Sequence, residues 1–163
     1  MSDYYLDASA LIKRYADESG SSWVRSITDP AADHTIFLAE ITLAEVAAAL
    51  AAKQRAPQGI SLQERDRALS RFLEDCAEHF LLLQIDRPVI DQAVELTQVY
   101  RLRGYDAVQL AAILVASREL VVQGVPLPIF VASDNDLLLA AQAAGLSVDN
   151  PLDHILSQNS ASS

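Results

Sequence analysis

Four carboxylates occupy positions that local structure alone does not account for. Asp7 and Asp134 each stand at the end of a short β-like run, Tyr4–Leu6 and Ile129–Ala132. Glu45 sits in an alanine-rich helical stretch, where its neighbours three and four residues away are Ile41, Thr42, Ala48 and Ala49. None is basic, whereas an exposed helical glutamate ordinarily has polar neighbours or an i,i+4 cation, so Glu45 projects from an otherwise apolar stripe. Asp106 precedes a long apolar helix. Each acid also has a local reading. Asp7 and Asp134 suit helix N-caps, and Thr42-x-x-Glu45, Asp106-x-x-Gln109 and Ser133-x-x-Asp136 fit capping boxes. Capping leaves unexplained why the acids fall at one edge of the predicted sheet. If the four converge, each pair about 4 Å apart costs on the order of 4 kcal/mol at an effective dielectric near 20. A divalent cation relieves that repulsion, and carboxylate with water suits Mg²⁺ or Mn²⁺. Three dispersed histidines and one cysteine argue against a structural zinc site. A carboxylate-held Mg²⁺ orients and deprotonates water and neutralises phosphoryl oxygens, which makes phosphodiester cleavage the natural chemistry.

The elements that must position these acids alternate. Hydrophobic period and turn residues predict strands at Tyr4–Leu6, Thr35–Ala39, Phe80–Ile85, Ile129–Ala132 and Leu146–Val148. Helices are predicted over Ala8–Tyr15, Ser19–Ile27, Ile41–Gln54, Ser61–His79, Pro88–Leu102, Tyr105–Val122 and Asp134–Ala144, with Gly104 as an interruption and Gly145 as a stop. The unbroken apolar run at Phe80–Ile85 predicts a strand buried on both faces. The helix after Tyr105, apolar nearly all round, is expected inside the domain. Such alternation implies an α/β domain with a mainly parallel five-stranded sheet flanked by helices on both faces. Ligands of such sheets bind beyond the carboxyl ends of the strands, where Asp7 and Asp134 fall. Residues 1–156 are expected to form one domain, and 157–163 a disordered polar tail.

The 163 residues carry 12 Lys plus Arg against 22 Asp plus Glu, a net charge of -10, with 51% hydrophobic residues. That composition is ordinary for a globular domain and excludes collagen-like and low-complexity classes. It argues against coating nucleic acid through a general basic surface, though not against a local site. No apolar run approaches the roughly 20 residues of a membrane span. With no signal-like N-terminus and a lone Cys76, a cytoplasmic location is expected.

Taken in order, Tyr5-Leu6-Asp7-Ala8-Ser9-Ala10-Leu11-Ile12-Lys13-Arg14-Tyr15, Ile41-Thr42-Leu43-Ala44-Glu45-Val46, Leu102-Arg103-Gly104-Tyr105-Asp106-Ala107-Val108-Gln109-Leu110-Ala111 and Phe130-Val131-Ala132-Ser133-Asp134-Asn135-Asp136-Leu137-Leu138 resemble the successive motifs of PIN-domain proteins, specifically the VapC-type toxins. The resemblance implies a PIN-like fold and a Mg²⁺- or Mn²⁺-dependent ribonuclease, the toxin of a toxin-antitoxin pair. It matches Asp7, Glu45, Asp106 and Asp134 to the family's acidic quartet, with Asp7, Asp106 and Asp134 holding metal and Glu45 placing the attacking water. Ser9 and Asp136 are implied auxiliaries. A homodimer and a cognate antitoxin with a basic segment are implied as partners.

Among the basic residues, Lys13, Arg14 and Arg103 are the candidates to meet RNA, beside Lys53, Arg55 and Arg101. Trp23 reads as a packing residue, and Tyr105 suits packing or base stacking equally. Two other enzyme classes fit less well. A haloacid-dehalogenase-like phosphatase needs a second carboxylate at Ser9, and a response-regulator receiver needs a late lysine, whereas no lysine follows Lys53. The non-enzymatic alternative is a catalytically inactive PIN-like module that binds a basic partner peptide in the same acidic pocket.

Overall fold

The computed structural model describes residues 2–155, so the polar tail expected from residue 157 lies outside the described residues. Five strands form one sheet in the order β3-β2-β1-β4-β5, with every pairing parallel: β1 Tyr4–Leu6, β2 Ile36–Ala39, β3 Phe80–Leu83, β4 Ile129–Val131 and β5 Val148–Asp149. Seven α-helices connect them: α1 Ala8–Tyr15, α2 Ser21–Ile27, α3 Ile41–Arg55, α4 Leu62–Glu78, α5 Arg87–Val99, α6 Gly104–Val122 and α7 Asn135–Ala143. The expected α/β architecture is therefore present, and the sheet is wholly parallel.

Strand alternation divides the core into two layers, because successive side chains point to opposite faces. Tyr5, Phe37, Ala39, Phe130 and Ala132 pack against α5, α6 and α7. Leu6, Ile36, Leu38 and Val131 pack against residues of α1 to α4, among them Leu11, Val24, Val46, Leu50 and Phe72. Helices before β3 thus cover one face and those after it the other. The change of side falls between β1 and β4, and parallel sheets open a crevice at such a switch point.

Two expectations are corrected. The Phe80–Leu83 strand is not buried on both faces: it is the sheet edge, and Leu81 is 52% exposed. An apolar run reports preference for burial, whereas actual burial depends on a neighbouring strand that the run cannot reveal. Gly104 does not interrupt a helix but opens α6, the break being the preceding Tyr100–Arg103 segment. The first half of α6 is interior as expected, with Ala107 and Gln109 to Ile113 buried, while Val121 and Val122 at its far end are exposed. After α7, Gly145 takes φ +100 and lets Leu146 N–H return to the Ala141 carbonyl, a left-handed stop that glycine adopts without a Cβ clash.

Candidate active site

Asp7 emerges from β1 directly into α1, and its backbone N–H donates to the Val131 carbonyl of the adjoining strand. Its Oδ1 caps α1 by accepting from Ala10 N–H at 2.9 Å and from the Ser9 hydroxyl at 2.7 Å. The Ser9 oxygen in turn accepts from Ser133 N–H at 3.0 Å. Ser9 therefore fastens the acid after β1 to the loop after β4. In that loop Asp134 caps α7, its Oδ1 accepting from Leu137 N–H at 2.9 Å. The cap readings of Asp7 and Asp134 are thus correct, and both caps stand at the carboxyl ends of the two strands, β1 and β4, that flank the switch point.

The other capping readings fail, for an instructive reason. Thr42 does not cap α3; it lies in the first turn, fully buried, and accepts from Gln109 Nε2 at 2.9 Å. Glu45 Oε2 accepts from the same amide nitrogen at 2.6 Å, rather than returning to a helix N-terminus. Gln109 Oε1 accepts from the Tyr5 hydroxyl at 2.6 Å. Asp106 likewise lies inside the first turn of α6, where Arg103 is the N-cap residue and makes no side-chain cap bond. Ser133 is no cap either, and its hydroxyl oxygen is buried without a hydrogen-bond partner among the described residues. For Thr42 and Glu45 a tertiary partner, the Gln109 amide, replaces the local one, since a buried polar group left unpaired is costly.

Sequence reasoning missed the Tyr5–Gln109–Thr42–Glu45 network as a unit. Its one available signal was Gln109, an amide in the most apolar stretch of the chain.

The acids influence one another. Burial pushes the Asp7 carboxyl up to about 7; hydrogen bonds from Ser9 and Ala10 oppose the rise, and the Asp106 and Glu45 charges add to it. Glu45 is raised by burial and by Asp106, against the pull of its Gln109 hydrogen bond. Asp106 is raised by burial and by Asp134, and Arg103 draws it back. These couplings join all four predicted acids. Two of them, Asp106 and Asp134, line a cleft of about 340 Å³ together with Arg101, Arg103 and Asp136. Tyr105, 65% exposed, stands next to Asp106 in sequence.

Lys13 and Arg14 do not present free charges. Lys13 is buried and pairs with Glu18 at 3.0 Å. Arg14 pairs with Asp75 at 3.0 Å and donates to the Thr28 hydroxyl, its side chain mostly covered. The expectation that these two meet RNA is corrected: each neutralises a nearby acid and helps join α1 to its neighbours. Trp23 is a packing residue as expected, stacked on His154 with ring centroids 4.0 Å apart.

The donor set suits a divalent cation. Three carboxylates are raised partly by other acids, and hard oxygen is the only ligand type concentrated here. Among the described residues no three His, Cys, Asp or Glu side chains enclose an ion by themselves. The fit is therefore to an ion held by one or two carboxylates with water completing its shell, the usual arrangement for Mg²⁺. Among the same residues no helix is long and apolar enough to cross a membrane.

Solved structures share this architecture at low identity. The chain resembles FitAB bound to an IR36 DNA fragment (TM-score 0.58, 18% identity, 91% of this chain and 95% of that one). It resembles a toxin-antitoxin complex from Klebsiella pneumoniae (0.56, 16%, 91% and 97%) and Mycobacterium tuberculosis VapC20, a sarcin-ricin-loop-cleaving toxin (0.57, 15%, 89% and 96%). No curated protein sequence matches. The PIN domain family model matches residues 4–124, a span that holds Asp7, Glu45 and Asp106 with the strands and helices that place them. Three of the four predicted acids thus lie within a match covering most of the chain, and the chain belongs to the PIN domain family.

Proposed function

We propose that this protein is a divalent-metal-dependent endoribonuclease acting as the toxin of a toxin-antitoxin pair. The observation that carries the reading is that Asp7, Glu45 and Asp106, from three separate segments, are each raised partly by the charge of another of these acids or of Asp134, which lines one cleft with Asp106. Such an arrangement costs folding free energy unless a cation offsets it. The fold likeness to VapC20, a sarcin-ricin-loop-cleaving toxin, and to a toxin-antitoxin complex supports the substrate class and the kind of partner.

In this reading Asp7, Asp106 and Asp134 would hold Mg²⁺ or Mn²⁺, one or two of them directly and the rest through water, and the ion when bound would activate water and neutralise phosphoryl charge. Ser9 fixes the Asp7 carboxylate against the β4–α7 loop. Glu45, its Oε2 engaged by Gln109, keeps Oε1 to position the attacking water and accept its proton. Asp136 supports the acidic wall, and Arg103 meets the substrate phosphate at the mouth of the cleft. The partners are RNA, a second copy of the chain and an antitoxin whose basic segment enters the acidic cleft.

The test is Mg²⁺-dependent cleavage of a mixed RNA pool by the purified chain and its Asp7→Asn and Asp106→Asn variants, with folding checked by circular dichroism. The variants should lose cleavage while remaining folded. Undiminished cleavage sinks the assignment. A wild-type chain that neither binds metal nor cleaves RNA would favour the basic-peptide module instead.

A further inference from the structure

A second hollow, about 770 Å³ and larger than the acidic cleft, lies where the end of α1 meets α2, the end of α3 and α4. Five of the chain's 12 Lys and Arg line it: Arg14, Arg25, Lys53, Arg67 and Arg71. Asp17 and Glu64 are its acidic residues, so cations exceed anions in the lining although the whole chain carries -10. An adjoining hollow of about 240 Å³ shares Arg14, Arg25 and Arg71 and extends the surface to Asp29 and Pro30.

These cations are not equivalent. Arg14 is paired with Asp75, Arg25 with Asp17 and Lys53 with Glu18. Arg67 and Arg71, both exposed and one turn apart on α4, have no hydrogen bond or ion pair with another described residue. Two guanidinium groups therefore stand open between this groove, whose other cations are paired, and a hollow of about 550 Å³ on their other side that Asp66, Glu74, Asp75 and Glu78 line with them.

We propose that this groove binds the phosphodiester backbone of single-stranded RNA beyond the cleaved position, with Arg67 and Arg71 contacting the phosphates. The choice of ligand rests on the ribonuclease reading. Guanidinium forks match phosphate oxygens in bidentate geometry, and four of the five lining cations are arginines. Helix α1 joins the two sites: Asp7 caps its N-terminus, while Arg14 and Tyr15 at its other end line the groove. Eight residues at 1.5 Å each separate those ends by about 12 Å, within reach of a strand a few nucleotides long. A strand whose scissile phosphate enters an acidic crevice gains from cations only outside it. A protein segment would find few exposed apolar anchors here beyond Ala56 and Pro57, Ile60 being half-buried against the core.

The experiment is fluorescence anisotropy of a labelled uridine oligomer with the full chain, carrying Asp7→Asn to prevent cleavage, across a salt series. Adding Arg67→Gln and Arg71→Gln together should weaken binding roughly ten- to thirtyfold near 0.1 M salt and reduce the log–log salt slope by about 1.4, at about 0.7 per phosphate. The Arg67→Lys, Arg71→Lys pair should retain the slope, and melting temperatures identify any misfolded variant. Unchanged affinity and slope in the glutamine pair overturn the proposal. Displacement by inorganic phosphate at an equal concentration of phosphate groups would overturn it in favour of a free-anion site. Tighter, arginine-dependent binding of a polyglutamate peptide would overturn it in favour of an acidic protein partner. If the wild-type chain cleaves no RNA yet the oligomer still binds through Arg67 and Arg71, the ribonuclease reading falls and the groove assignment stands.

Discussion

Replacing Asp7 with Asn should make the metal-free protein more stable while abolishing its proposed activity. Asp7 is 4% exposed, and its carboxyl is pushed from 3.8 to about 7 by burial first, with the Asp106 and Glu45 charges adding to the rise. Between those two values the native state holds a proton that the unfolded chain has released. Stability therefore falls as pH rises through that window and levels off above about 7. A shift of about 3 units at about 1.36 kcal/mol each sets an upper value of about 4 kcal/mol. Asn keeps an Oδ1 that can accept from Ser9 and Ala10 but carries no charge to desolvate. Urea unfolding in chelator should show the variant more stable by on the order of 2–4 kcal/mol at alkaline pH, with the gap closing toward pH 4. Mg²⁺ at a hundred times its dissociation constant should then stabilise the wild type by about 2.7 kcal/mol and the variant far less. Parallel stability curves for the two proteins, or a variant weaker than wild type above pH 7, would refute the electrostatic reasoning.

Two further outcomes test the surrounding framework. Gln109→Leu removes the partner of Tyr5, Thr42 and Glu45 together, and urea unfolding should show a loss of roughly 3 kcal/mol. Because Gln109 holds the Glu45 pKa down, the acid limb of the variant's cleavage profile should also move to higher pH. Arg14→Gln leaves Asp75 buried without its cation and should cost about 3–5 kcal/mol, while the salt slope of RNA binding stays unchanged. A changed slope would return Arg14 to the RNA surface.

Much of the fold was legible because its determinants are local. Apolar runs of three or four residues between amphipathic helices announce a parallel sheet, and Gly145 and Pro88 mark a helix end and a helix start through backbone geometry. The edge position of Phe80–Leu83 was not legible, since its apolar residues read the same whether a sixth strand pairs with it or not. Arg14 misled for a related reason: a cation on a short helix looks solvated until Asp75 arrives from 61 positions on, whereas the Lys13 partner, Glu18, lies just past the end of the same helix.

By itself the sequence determined the four acids, their order and the strand and helix ends that carry them, because charge type and secondary-structure period are properties of neighbouring residues. Only the tertiary structure decided that Thr42 and Glu45 turn to Gln109, that Ser9 bridges Asp7 to Ser133, and that Arg67 and Arg71 of α4 line a groove with the end of α1 opposite Asp7. Those partners are as many as 124 positions apart in the chain. Their pairing is chosen by the free energy of satisfying buried polar groups once the sheet has closed.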